Sequence, residues 1–531
     1  MKSKLHQRSL KAEREYFDRL LFRLAYPSGK YEYPDTRRTL SRLVRVIADQ
    51  LSSGDYRAIR VFSGSGLPGS ELTAAFSFSL TKWLTTTFPD ETTLHSSNAD
   101  AESTRMLFRE ILPRTEYESI FSGEMKLAGR IKKLKGKNRG SGLSWLIQRM
   151  DESTLQERDK ESVFHHLKVF TRWKSSYSSL NRISARIPSE AIYYHKTIER
   201  KPVLKRILGK ALPLPETLNN HEATHLINIA RCTLAYLYRE TEPITYADSN
   251  EVTLFRLERG LSIALYGMNP ERRLSLESYM GYMAFKNGVP VAYGGGWLFG
   301  HRCQFGINIL PAYRGGESAF IFCQLLRVYH QYYKASLFVV KPYQFGRHNA
   351  EAIRSGAFWF YYKAGFRPEK NDLLQAAKEE WRKKNSTPAY RSPAAVLKKL
   401  TGSNLLLALH KMAFPGYDPA LLSTRITGFI NDRFSGSRKT ATNICLKELK
   451  KQAGINRTAG WTPYERRALA EWSLLAASHL QISKWSAAEK KQFIRLVRLK
   501  GQAGERNFIL HLQQCRRFWK DLNRSVTGKN K

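Results

Sequence analysis

The chain has 531 residues, too many for one ordinary hydrophobic core, so the length predicts two to four domains. Hydrophobic residues make up 42% and aromatic residues 12%, which excludes a disordered or collagen-like chain. The formal net charge of +41 predicts contact with polyanions such as nucleic acid, an anionic surface or a phosphorylated ligand.

The basic excess is spread along the chain and is densest after residue 370. Cys232, Cys303, Cys323, Cys445 and Cys515 are scattered, odd in number and without a C-x-x-C pair. This pattern argues against a disulfide framework or a thiolate zinc site and for a reducing, cytoplasmic setting. The first residues carry no apolar run of signal-peptide quality, and no stretch reaches the roughly 18 apolar residues of a membrane span.

Residues 9–52 read as helices, from the spacing of Leu20, Leu21, Leu24 and Ala25 and of Leu40, Leu43, Val44 and Ile47. Pro27-Ser28-Gly29 and Pro34 punctuate them. The Gly- and Ser-rich loop 63–70 lacks the Gly-Lys-Ser/Thr ending of a P-loop. Periodicity leaves 71–90 open between helix and strand. The basic run Arg130 to Arg139 reads as an exposed loop or helix end, and 150–245 as further helices.

Within that stretch, His221-Glu222-Ala223-Thr224-His225 spells H-E-x-x-H. On a helix this pattern places two histidines on one face as zinc ligands, with the glutamate activating water. Glu240 and Glu242 are the nearest carboxylates for a third ligand. The competing reading is two helix-face histidines in ordinary packing.

From about Glu251 to Pro368 the pattern changes. Gly281–Phe285 and Val289–Gly295 read as strands joined by Lys286-Asn287-Gly288, whose Asn-Gly supplies the positive φ of a tight hairpin. Cys303–Leu310 is a third strand. It runs through Pro311 to Arg314-Gly315-Gly316-Glu317-Ser318-Ala319 into a helix at 320–332, and 336–340 is a buried-type strand. A strand that ends in a Gly turn and opens a helix presents free backbone N–H groups to an anion.

The segment then gives Asn349, Ala352, Ile353 and Arg354, and closes Tyr361-Tyr362-Lys363-Ala364-Gly365-Phe366. This order and ending resemble the acyl-CoA-binding half of the GNAT acyltransferase superfamily. The resemblance implies a mixed α/β, GNAT-like domain over 251–370, between an α-rich region at 1–250 and a basic α-helical region at 371–531. It further implies acyl transfer from acetyl-CoA or another acyl-CoA to an amine or hydroxyl.

The cofactor's pyrophosphate would lie on Leu310, Arg314, Gly315, Gly316, Ser318 and Ala319, and Tyr361 would protonate the departing thiolate. Tyr362 is the alternative acid, and His301 or Glu317 the candidate base. Glu317 stands where the family has glycine, and five extra residues, Ser355 to Trp359, precede the closing motif. The alternatives are a non-catalytic GNAT-like scaffold that binds polyanions and, through His221 and His225, a zinc metalloprotease.

After Pro368 the pattern reads helical through 373–383 and 394–412, and again from 447 onward. The last basic amphipathic pair, 486–500 and 505–522, is expected to bind polyanions. Trp485, Phe493 and Trp519 there are either base-stacking groups or core.

Overall fold

The computed structural model describes residues 2–120, 125–137, 139–177, 180–189, 191–387, 389–410 and 414–528, with side chains from residue 9 onward. The chain divides into two compact units. The first comprises residues 1–196, 224–246 and 285–291, and the second 197–223, 247–284 and 292–531.

The first unit opens with α1 (Lys2–Ala25) and α2 (Glu32–Ser52), which bury Leu20, Leu21, Leu24, Leu40, Val44 and Ile47 as the spacing predicts. It also holds a three-stranded sheet of β1 (Glu71–Ala74), β2 (Thr92–Ser97) and β3 (Val169–Lys174), in the order β1-β3-β2. The helical reading of 150–245 is therefore corrected at β3, where every other residue is buried, the period of a strand. Trp173 of β3 is fully buried and stacks on Tyr236 at 4.5 Å between ring centres.

The basic run forms α3 (Leu127–Lys135) and its Gly136 cap. Arg130 is buried and donates to the Met125 carbonyl, while Lys132, Lys133 and Lys137 are exposed. Asn138 of that run lies outside the described residues. The loop 63–70 is no phosphate cradle. A Cβ on Gly64 would strike Tyr238, and one on Gly66 the ring of Tyr236, so the two glycines admit tyrosines. The unit boundary falls inside α4 (Asn220–Ala235).

The second unit holds most of an eight-stranded mixed sheet, ordered β10-β11-β9-β8-β7-β6-β5-β4, whose β6–β7 hairpin end at 285–291 belongs to the first unit. Its strands are β4 (Ala247–Arg256), β5 (Leu261–Met268), β6 (Ser278–Lys286), β7 (Val289–Phe299), β8 (Arg302–Ile309), β9 (Leu337–Val340), β10 (Arg367–Pro368) and β11 (Leu405–Ala408). Asn287 and Gly288 take φ of 47° and 80° in the predicted hairpin. The third strand and the strand after the helix appear where the sequence places them.

Between β8 and β9 comes α5 (Ser318–Tyr333), packed on the sheet. The Tyr329 hydroxyl donates to the Met280 carbonyl at 2.6 Å, and its ring meets Phe305 and Tyr282 edge-on. Short helices α6 (Ala350–Ser355) and α7 (Ala357–Lys363) follow, then α8 (Asn371–Ser386) and α9 (Ala394–Leu400). The helix expected over 394–412 stops at Leu400. Leu405–Ala408 pairs as β11 between β9 and β10, and residues 411 and 412 lie outside the described residues.

The remainder is helical: α10 (Pro419–Phe434), α11 (Arg438–Ala453), α12 (Pro463–His479), α13 (Ala487–Lys500), α14 (Glu505–Gln514) and α15 (Arg516–Thr527). Trp485, Phe493 and Trp519 are buried, so they are core and offer no face for base stacking. Among the described residues no helix is long and apolar enough to cross a membrane.

Candidate functional site

The centre of the second unit is where β8 and β9 part. They pair in parallel only from Arg302–Gln304 to Leu337–Val339. β8 continues to Ile309, but β9 ends at Val340, because Pro342 opens a 3-10 turn and has no N–H for a ladder. Gln344 of that turn lies against Gly306, where an added Cβ would stand 3.0 Å from its amide. The Tyr282 hydroxyl donates to the Gly306 carbonyl at 2.8 Å.

The predicted anion turn follows β8. Leu310 is buried, Pro311–Tyr313 forms one 3-10 turn, and Gly315 takes φ +89°. Ile321 makes the first amide bond back to Glu317, so the amides of Ser318 and Ala319 belong to the open first turn of α5. Arg314 points away to the surface and pairs with Glu351 at 2.7 Å.

Glu317 is fully buried and turned inward. Its carboxylate accepts from the Arg259 guanidinium, at 2.9 Å to Nε, and from the Glu199 amide at 2.9 Å. The charge at the position where the resembled family has glycine is thus neutralised within the fold, and Glu317 is not placed as a base.

Beside the first turn of α5 opens a cavity of about 1210 Å³. It exceeds the roughly 300–1,000 Å³ of most small-molecule clefts, so it admits an extended ligand. Arg200, Lys201, Arg354, Lys363, Lys384 and Arg391 line it, and among the described residues no carboxylate does. Phe322, Trp359, Phe360 and Trp381 supply aromatic wall, and Ala319 lies at its edge.

Desolvation first, and then the neighbouring Lys384, Lys201 and Arg391, hold the Lys363 ammonium below its ordinary pKa. Cations that depress one another are relieved by a bound anion. The Arg200 guanidinium also reaches the Gly315 carbonyl at 3.4 Å, which ties the cavity to the turn.

Of the predicted cofactor residues, Ala319 alone lines this cavity; Gly315, Gly316 and Ser318 form the turn beside it. Tyr361 is not in the lining. It is buried among Phe322, Phe345 and Phe366, and burial pushes its phenol well above the usual range, so it stays protonated. It lies close enough to Tyr282 to raise that phenol as well, after burial. Through Phe345, Tyr361 packs against the 3-10 turn that follows β9. Tyr362 is buried, with the Arg367 guanidinium 4.0 Å from its ring centre.

His301 is not brought to the turn. It is exposed at the opposite end of β8, about 25 Å of strand away, with Nδ1 on the Lys334 carbonyl at 2.9 Å.

The H-E-x-x-H residues do open a helix. Glu222 accepts from the Asn219 amide at 2.9 Å, and the Asn219 side chain accepts from the Glu222 amide at 2.9 Å. This reciprocal cap gives Glu222 a structural task. Glu240 lies beyond the helix end and accepts from the Ser77 amide. Among the described residues no group of His, Cys, Asp and Glu is placed to hold a metal ion.

Sequence reasoning missed Arg200, Lys201, Lys384 and Arg391. They come from separate segments at no motif spacing, and only the fold gathers them. No protein-family model, curated protein or solved structure matches the chain.

Proposed function

We propose that the second unit is an acyl-CoA-dependent acyltransferase. The observation that carries the reading is the carboxylate-free cationic cavity that opens at the first turn of α5. The phosphates of CoA match the cations, and the adenine matches the aromatic wall. The acyl end would extend from the cavity toward the buried Tyr361.

There the acceptor nitrogen or oxygen attacks the thioester carbon. The new bond to carbon forms as the C–S bond breaks, and the leaving thiolate accepts a hydrogen bond from the Tyr361 hydroxyl and takes its proton from water. The acceptor's own proton passes to water or to a base that the acceptor brings near. The donor is acetyl-CoA or a longer acyl-CoA, and GNAT-like is the fold description this reading adopts.

A second reading is a non-catalytic GNAT-like scaffold that binds polyanions. What favours it is specific: Glu317 is paired inward and His301 is remote, so neither candidate base stands at the cavity.

The test is release of free CoA thiol from acetyl-CoA in the presence of a panel of primary amines. The enzyme reading predicts amine-dependent release that Tyr361→Phe slows at least tenfold with CoA affinity unchanged, because only a hydrogen-bond donor is lost. Binding without release from any acyl donor or amine favours the scaffold.

A further inference from the structure

We propose that α11 is a docking helix for duplex DNA, with α10 and the turn between them as its support. This interaction goes beyond acyl transfer and does not depend on it. α10 ends at Phe434 and α11 begins at Arg438, with Ser435-Gly436-Ser437 between them. Ser435 and Gly436 take φ of 46° and 79°, so the two helices are joined by a three-residue left-handed turn, the connection length of a helix–turn–helix. The Ser437 hydroxyl caps α11 by accepting from the Thr440 amide.

The two faces of α11 differ sharply. Ala441, Cys445, Leu449 and Ala453 are buried at four-residue spacing. Lys439, Asn443, Lys447 and Lys451 are exposed at the same spacing on the opposite side, with Thr440 beside them. The lone acid of the helix, Glu448, is paired with Arg433 of α10 at 2.8 Å. Among the described residues no ion pair or side-chain hydrogen bond engages the three lysines or Asn443. The exposed ridge is therefore cationic without local compensation.

The ridge from Lys439 to Lys451 is about 18 Å long at 1.5 Å per residue. That is the span of about five base pairs. The B-form major groove is about 12 Å wide and admits a helix, whereas the A-form RNA groove is too narrow. Lysines at this spacing reach phosphates, and Asn443 and Thr440 are side chains that read base edges. A membrane is the poorer match, because α11 buries Ala441, Cys445, Leu449 and Ala453 in the protein and leaves Ile444 as its one exposed large apolar side chain, too little for a lipid-facing stripe.

The test is anisotropy of the full chain with a labelled mixed-sequence DNA duplex, the same duplex as RNA, and phosphatidylserine-containing vesicles. Lys439→Ala, Lys447→Ala and Lys451→Ala together should weaken DNA binding roughly tenfold to a hundredfold and make the logarithmic salt dependence shallower by about 2–3. Asn443→Ala should lower affinity with the salt dependence unchanged. Lys439→Arg, Lys447→Arg and Lys451→Arg together should retain binding, which separates charge from folding.

The matched removal of Arg38, Arg42 and Arg45 from α2, exposed cations on another helix, should have a clearly smaller effect. The proposal is overturned if the alanine set keeps wild-type affinity or if the α2 set loses as much. Tighter binding of duplex RNA or vesicles than of duplex DNA overturns it equally.

Discussion

Replacing Glu317 by glycine, the residue that stands there in the resembled family, should damage the fold and leave no gain in ligand affinity. The backbone at 317 has φ −90° and ψ 38°, which side-chain-bearing residues adopt, so glycine relieves no strain there and adds freedom to the unfolded chain. The carboxylate is fully buried; its loss takes the charged acceptor from the Arg259 guanidinium, which keeps the Thr197 carbonyl at 2.6 Å, and the acceptor from the Glu199 amide.

Breaking a fully buried ion pair costs about 3–5 kcal/mol. The Arg259 side chain keeps 21% of its exposure and can recover some solvation, which brings the expectation to about 2–4 kcal/mol. Glu317→Gln keeps the shape and one acceptor but loses the charge, for about 1–2 kcal/mol. Urea unfolding of Glu317→Gly, Arg259→Met and the double variant gives the coupling, expected at about 2 kcal/mol. A Glu317→Gly protein as stable as wild type, with tighter CoA binding, would mean that the carboxylate faces the ligand and would refute this geometry.

Three further outcomes follow from other residues. Lys363→Glu with Arg391→Glu should cost CoA binding about a hundredfold or more, measured by calorimetry, since attractive charges become repulsive in a crowded cavity. Burial, and then Arg425, hold the His479 imidazole down at about 4, against roughly 6.5 in an unfolded chain. The unfolded chain then binds more protons between those values, so stability should fall as pH drops from above 6.5 toward 4, by about 3 kcal/mol. In His479→Leu that part of the pH dependence should vanish from urea midpoints. Elemental analysis should find no zinc in proportion to protein, and no change on His221→Ala; about one zinc per chain, lost in that variant, would contradict the metal-free reading of His221 and His225.

The sequence was most legible where local chemistry decides structure. Asn287-Gly288 announces its hairpin, and the Gly-rich turn before α5 follows β8 as read. Leu405–Ala408 reads as helix in the sequence because four apolar residues carry no period that separates a short strand from a buried helix. β3 did carry a signal, the alternation of Val169, Thr171 and Trp173. Glu317 and Arg259 are 58 residues apart, and no local pattern predicts their pairing. The cavity cations are harder still, since each is an ordinary surface residue until the fold assembles them.

The most direct test of the central claim is calorimetric titration of the purified chain with acetyl-CoA and with longer acyl-CoAs. The cationic cavity predicts saturable, salt-sensitive binding, at or below about 100 μM, or about −5.5 kcal/mol. It predicts that unesterified CoA competes, because the phosphates and adenine carry most of the recognition. Absence of heat and of competition at millimolar ligand, in a protein whose Glu317–Arg259 coupling is intact, would contradict the acyltransferase reading.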